Sequence, residues 1–428
     1  MALTDTPPRL PRMVSLTQKF PAAAPLDIPA TIRREFAAQK MAQRIKPGSS
    51  VVIGAGSRGI AHIAEIISTL VALIKEAGAH PFIIPAMGSH GGGTPEGQLS
   101  ILAEYGITEA KMGVPIRASM DVQQIGTTED GVPVCFSSEA LKADAVLVVN
   151  RIKPHTDFVG DIGSGIVKML AIGFAKRVGA SACHQAASRL GHERVIRTAG
   201  HIALQKVPVL CGVAILENQV HDTARIEIVQ PQDFERRDPE LLVEARRLMP
   251  RLPFDEIDLL IVDQLGKNIS GTGMDTNVVN RHCQGYDSSL IGSNRLKPWI
   301  KRLYVRGLTE ETHGNSVGIG LADFTHSRLV KAMDRHSTYL NSLTALTPQL
   351  SKIPVYFDSD REAIVRGLAT LGIDDFSTAK IVRIKDTLSL EAMQISEACL
   401  KEIAGREELL VKGVPKDMSF DSSGNLSE

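Results

Sequence analysis

Two short apolar runs, each closed by a glycine-rich turn and followed by a helical pattern, constrain the fold of this chain more than any other feature. Val51 to Ile53 leads into GAGSRG, after which Ile60, Ile63, Ile66, Ile67, Leu70 and Leu73 recur at the spacing of one helical face. The second run, PFIIPAMG, ends in SHGGGTPEGQ, where Thr94-Pro95-Glu96 can open a helix carrying Leu99, Ile101 and Leu102. Strand, turn and helix repeated in this way predict a βαβα unit with parallel pairing.

The alternation continues. Buried-strand candidates follow at Ala145 to Val149, Val209 to Ile215, Leu259 to Val262, Val317 to Leu321 and Lys380 to Ile384, each bounded by polar or glycine-rich stretches. At 428 residues the chain exceeds one ordinary core, so two lobes are expected. The charged stretch from Phe234 to Pro253 reads as a helix and connector, which places an N-terminal α/β domain at 1–250 and a C-terminal α/β domain at 251–428. The expected fold class is α/β: two lobes with mainly parallel sheets flanked by helices, the site lying in the cleft between them. The first thirty residues are proline-rich and weakly patterned, and DMSFDSSGNLSE is polar enough for a frayed tail.

Charge excludes some partners. Forty-eight Lys and Arg balance 48 Asp and Glu, so nothing favours nucleic acid or an anionic membrane surface, and small molecules are the expected partners. No apolar run reaches the length of a membrane span, and the N-terminus lacks the apolar core of a signal peptide. Five cysteines, at 135, 183, 211, 283 and 399, form no CxxC pair, which suits a reducing compartment and a cytoplasmic location.

Ligands of open α/β sheets collect beyond the carboxyl ends of the strands, and three polar clusters fall there: Ser57-Arg58, His90 among its glycines, and Lys153 to His155. Arg58 sits where a helix begins and suits a carboxylate or phosphate, or else a surface ion pair. The turn GDIGSGIVK lets backbone approach a ligand but matches neither GxxxxGK[ST] nor GxGxxG. Lys168 precedes the apolar MLAIGFA, where a partly dry ammonium loses hydration and becomes available as an amine; the plainer alternative is a lysine whose stem covers apolar surface. His184 and its neighbour Cys183 suit either a site or a core. No HExxH or CxxC supports a conventional zinc site, although a single imidazole could complete a metal bound by a cofactor. After the strand IDLLIVD, Gln264 and Lys267 point out of another carboxyl end.

Taken in order, these clusters resemble the lactate racemase family. Its members show an acid, two intervening positions and Arg, then a histidine in a GTH-like turn; here Arg58 and His90 in GSHGGGTPE stand in those places. A PH motif, a glycine-rich turn before a lysine, and a later histidine correspond to His155, Lys168 and His184, and a Gln-x-x-Lys pair to Gln264 and Lys267. The resemblance runs from about residue 51 to 270. It departs at Ala55, where the family has its acid, at Gly59, where it has proline, and in a longer loop between His155 and Lys168.

The resemblance implies a racemase or epimerase that inverts the C2 centre of a 2-hydroxy acid through a nickel-pincer nucleotide attached covalently to Lys168. By the same likeness His184 ligates nickel, His90 and His155 are the acid/base pair, and Arg58, Gln264 and Lys267 bind substrate. Imidazoles titrate near neutrality and suit an acid/base pair that must work in both directions. The departures point away from lactate towards a different or larger hydroxyacid; the expected partners are that small-molecule hydroxyacid and, separately, further copies of the chain in a homo-oligomer. The competing expectation is a non-catalytic binding protein for a nucleotide-like or nickel-containing ligand.

Overall fold

The computed structural model describes residues 9–21, 24–57, 59–281 and 297–427, and the chain divides into two compact units. One comprises residues 22–155 and 159–249; the other comprises 250–428 together with 1–21 and 156–158.

In the first unit a five-stranded sheet runs in the order His80–Pro85, Ser50–Ala55, Ala145–Arg151, Val209–Glu217, Thr223–Val229. The first four strands are parallel and the last is antiparallel. Val51, Val52 and Ile53 are fully buried, as are Val146 to Val149, because helices cover both faces and leave no side for polar residues. Ile63, Ile66, Ile67, Leu70, Leu73 and Ile74 form the buried face of the helix Ile63–Glu76, each contributing roughly 1.5–3 kcal/mol in gross transfer terms. They share one core with Ile32 and Phe36 of the helix Ile28–Ala38. The helix Pro95–Glu104 starts as its sequence predicts: the Thr94 hydroxyl accepts the Gly97 N–H at 3.1 Å, and Pro95 fills the first turn.

The second unit holds an eight-stranded mixed sheet. Val355–Phe357, Phe324–His326, Trp299–Leu308, Glu256–Leu265 and Ile381–Ile384 are parallel neighbours, continued antiparallel by Ala392–Ser396, Met13–Gln18 and Leu409–Lys416. Three sequence expectations change here. Val317 to Leu321 is not a strand: Gly318 takes φ 101° against the Thr272 carbonyl, and Ile319–Leu321 closes into a short 3-10 turn. The N-terminal stretch contributes the strand next to the sheet's edge, its partners supplied by the last forty or so residues rather than by its own weak pattern. The C-terminal tail is tied down rather than frayed, with Asn425 bonded to His326 at 2.8 Å and the Leu426 N–H to Asp360 at 2.8 Å. Among the described residues no helix is long and apolar enough to cross a membrane.

Candidate active site

The three parallel strands Ser50–Ala55, His80–Pro85 and Ala145–Arg151 end at the same edge of the first unit's sheet, and each is followed by one of the polar clusters. After the first strand, the Ser57 hydroxyl meets His90 Nδ1 at 2.5 Å. Arg58 lies outside the described residues. Ala55, where an acid would stand in the family pattern, is a fully buried strand end.

His90 opens a tight turn in which Gly91, Gly92 and Gly93 all have positive φ. Their glycine character is set by protein rather than ligand: a Cβ on Gly91 would fall 2.5 Å from the Gly97 backbone, and one on Gly93 2.7 Å from the Arg177 side chain. Buried Gln98 donates to the carbonyls of Gly88 at 2.9 Å and His90 at 3.3 Å. The Gly88 N–H reaches the Gly173 carbonyl at 3.0 Å, so this loop docks on the segment that follows Lys168.

The third cluster is closed by a two-residue bridge, Lys153 and Ser164 exchanging backbone hydrogen bonds at 2.9 and 2.8 Å. Gly163 lies against the Lys153 carbonyl, where a side chain would collide at 2.4 Å. This closure brings His155 back over the helical turn Ile166–Lys168, and Lys168 Nζ lies 2.5 Å from His155 Nε2. Two cations do not pack at that distance, so the contact holds an ammonium donating to a neutral imidazole or a neutral amine beside it.

The lysine turn is anchored from below. Asn150 Nδ2 donates to the Gly165 carbonyl at 2.8 Å, and the Val167 N–H donates to Asp238 at 2.8 Å. Asp238 is fully buried in the helix Phe234–Leu248, and burial pushes its carboxyl up to about 6 against the pull of the Val167 N–H, the Arg197 charge and the Ile166 N–H. Its second oxygen has no hydrogen-bond partner. A Cβ on Gly165 would sit 2.3 Å from that oxygen, which requires glycine there.

Beyond Lys168 the chain widens into a π-turn, Met169–Gly173, closed by the Phe174 N–H on the Met169 carbonyl at 2.9 Å. Phe174 then stacks on Phe136 with ring centroids 4.8 Å apart and leaves no room for a side chain at Gly54. His184 follows on the helix Lys176–Leu190, half-buried, its ring edge-on to His192 at 6.3 Å. Its neighbour Cys183 is buried and its thiol pushed up to about 11, which disfavours a thiolate nucleophile.

In the second unit, Gln264 and Lys267 stand at the carboxyl end of the strand Glu256–Leu265. Both are half-buried, and Lys267 Nζ donates to the Gly271 carbonyl at 2.5 Å. The structure therefore pairs Ser57 with His90 and His155 with Lys168, and sets His184 on the helix that follows the lysine turn. Among the described residues no group of three or more His, Cys, Asp or Glu could hold a metal ion by itself.

Sequence reasoning did not single out Asn150, Gln98, Lys176 or Asp238. Lys176 carried the one usable signal, a second lysine at the far end of the apolar MLAIGFA run; the other three act through backbone groups brought near only by the fold.

Residues 18–194 match the family model of the lactate racemase N-terminal domain. In structure the chain is similar to the lactate racemase apoprotein from Thermoanaerobacterium thermosaccharolyticum, at 14% identity and a TM-score of 0.53 over 88% of this chain and 99% of that one. It is also similar to a protein from Thermotoga maritima, at 14% identity and a TM-score of 0.50 over 78% of this chain and 84% of that one. The fold is thus that of a lactate racemase, a mixed α/β architecture with mainly parallel sheets flanked by helices. No curated protein matches the chain.

Proposed function

We propose that the protein inverts the C2 centre of a 2-hydroxy acid, as a racemase or epimerase that works with a lysine-tethered nickel-pincer nucleotide. The observation that carries this reading is the contact between Lys168 Nζ and His155 Nε2: an attachment amine and an acid/base imidazole share one point, on a turn fixed by Gly163 and Gly165. The donor set suits such a group. One amine and one nearby-in-sequence imidazole, His184, with no cluster of metal-binding side chains among the described residues, fit a metal that arrives with most of its own ligands. When bound, the nucleotide supplies a reversible hydride acceptor, which spares the substrate a carbanion beside its carboxylate.

The chain's own residues do the rest. Lys168 provides the tether and His184 a nitrogen for nickel. With Nζ taken up by the tether, His155 would be left able to take and return a substrate proton. His90 has the matching role, with its ring held by Ser57. When Nδ1–H donates to the hydroxyl, Nε2 offers a lone pair; when the hydroxyl donates to Nδ1, Nε2 carries the proton. Base and acid are therefore the two tautomers of one held ring, and two such histidines serve the two enantiomers. Arg58, Gln264 and Lys267 would orient the substrate carboxylate and hydroxyl, an orientation effect that raises effective concentration.

Ala55 at a buried strand end, Gly59 and the longer loop between His155 and Lys168 support a hydroxyacid other than lactate. The same Ala55 favours the second reading, a binding protein without turnover, and the paired histidines speak against it.

The test is intact mass and metal content of protein produced together with the cofactor pathway. The expected result is an adduct mapped to Lys168 with near-equimolar nickel, lost in Lys168→Ala. His90→Ala and His155→Ala should keep the adduct and lose turnover by about 10²–10⁴-fold on a responsive hydroxyacid. An unmodified, metal-free protein under those conditions would overturn the proposal, and nickel loading without turnover on any hydroxyacid would favour the binding protein.

A further inference from the structure

The geometry points to Lys176 as a positioning residue that, through Gln98, holds the His90 loop against the segment bearing Lys168 and His184. Lys176 lies eight residues after Lys168 and eight before His184. It sits at the kink where the π-turn gives way to the helix Lys176–Leu190, with φ 53°, a left-handed conformation unfavourable for a non-glycine residue.

The side chain is 1% exposed, yet its hydrogen bonds run to two carbonyl oxygens and not to a carboxylate: Pro85 O at 2.5 Å and Gln98 Oε1 at 3.3 Å. Burial lowers its ammonium to about 8, so the group destabilises the fold relative to an apolar side chain of the same length. A methionine would fill this space without that penalty, and the ammonium needs another reason to be here.

The reason lies in the direction of its hydrogen bonds. An ammonium donates and cannot accept, so it determines which end of the Gln98 amide faces it. With Oε1 turned to Lys176, the NH₂ is committed to the carbonyls of Gly88 and His90. Gln98 is fully buried, and no water competes for the amide. One buried thread thus runs from the end of the strand His80–Pro85, through Lys176 and Gln98, to the backbone on either side of Ser89. The Gly88 N–H to Gly173 carbonyl bond closes it from the other direction. The effect is to fix the backbone of His90 relative to the turn that carries Lys168, leaving Ser57 to fix the ring.

The role of this strut in proton transfer rests on the proposed function; the strut itself does not. Hydrogen exchange by mass spectrometry on the full-length protein, purified without cofactor, tests it. In Lys176→Met the segment 86–98 should exchange about tenfold faster while the strands Ala145–Arg151 and Val209–Glu217 are unchanged. Lys176→Arg, which also only donates, should keep most of the protection. A residue that merely fills space would give the reverse order, since methionine is closer in bulk. Should Lys176→Met fail to fold, Gln98→Met leaves the Pro85 contact in place, cuts only the link to Gly88 and His90, and should give the same local loss. Unchanged exchange over 86–98 in Gln98→Met, or in a folded Lys176→Met, overturns the inference whatever the adduct experiment finds. A missing adduct with the local loss present would remove the catalytic role of His90 and leave the strut standing.

Discussion

Two aspartates in this protein are both closed off from solvent and behave in opposite ways. Asp360, at the first turn of the helix Asp360–Ala369, receives the Tyr304 hydroxyl at 2.5 Å, Arg306 at 2.6 and 3.1 Å, Arg328 at 2.7 Å and the Leu426 N–H at 2.8 Å. Burial alone would raise its carboxyl, but the Arg306 and Tyr304 hydrogen bonds, the Arg306 charge and the Leu426 N–H outweigh it and hold the group well below the usual carboxylate range. Asp238 is met only by the Val167 N–H at 2.8 Å, the weaker pull of the Ile166 N–H and the Arg197 charge, and its other oxygen has no hydrogen-bond partner, so burial prevails and its carboxyl rises. Loss of solvent access does not by itself decide how an acid titrates; the depth of burial is weighed against the donors aimed at the carboxylate. The satisfied aspartate ties down a tail, and the under-satisfied one lies beneath the turn that bears Lys168, where unpaired polar groups concentrate when geometry matters more than stability.

The contrast is broken most severely at Asp360. Asp360→Ala leaves the Arg306 guanidinium buried beside a missing partner and should destabilise the protein by about 3–5 kcal/mol in urea unfolding. A loss below about 1 kcal/mol would mean the cluster is no better than a surface ion pair.

Titration sharpens the comparison next, because the two acids give stability slopes of opposite sign. Asp238 holds its proton in the folded state up to about pH 6 and in the unfolded chain only to about pH 4. Its contribution therefore falls as pH rises through that window, by roughly 3 kcal/mol in all, and is flat above it. Asp360, depressed in the folded state, contributes above about pH 4 and loses that contribution as pH falls below it. Urea midpoints measured across pH should show the decline between pH 4 and 6 vanish in Asp238→Asn and persist in Asp360→Asn.

A smaller effect belongs to Asp238→Ala, which orphans the Val167 N–H at a cost of about 1–3 kcal/mol. Selective acylation of Lys168, mapped by mass spectrometry, should become less distinct from that of surface lysines. The smallest is a coupling: Gly165→Ala places a methyl against the unpaired Asp238 oxygen, and the double variant with Asp238→Ala should recover about 1 kcal/mol relative to the sum of the singles. Strict additivity would show that the two positions do not touch in solution.

Much of the first unit was legible because its parallel strands are buried on both faces and appear as plain apolar runs; Ala145 to Val149 and Val209 to Ile215 fall within observed strands, as does Leu259 to Val262 in the second, where the stretch expected at Lys380 to Ile384 forms a strand from Ile381. Of the strands that escaped notice, Met13–Gln18, Ala392–Ser396 and Leu409–Lys416 are antiparallel, with polar positions that dilute the signal, whereas Trp299–Leu308 is parallel and internal but has its apolar run interrupted by Lys301, Arg302 and Arg306. In the candidate site, the residues proposed to carry chemistry, His90, His155 and Lys168 among them, were named from motif order. Those that hold them could not. Asp238 and Gln98 act on backbone N–H and carbonyl groups, which every residue possesses, so no side-chain pattern announces the partnership.

The strand Met13–Gln18 also sets an order on biosynthesis. Its neighbours begin at Ala392 and Leu409, so it leaves the ribosome long before anything exists for it to pair with. At about 5–20 residues per second, roughly twenty to seventy seconds separate the strand from its first partner. Over that interval residues 22–249 can complete their own core while the strand waits as an unpaired β segment, the kind of edge that invites association with other chains. The exposed interval therefore belongs to the strand Met13–Gln18, and slower translation should lengthen it.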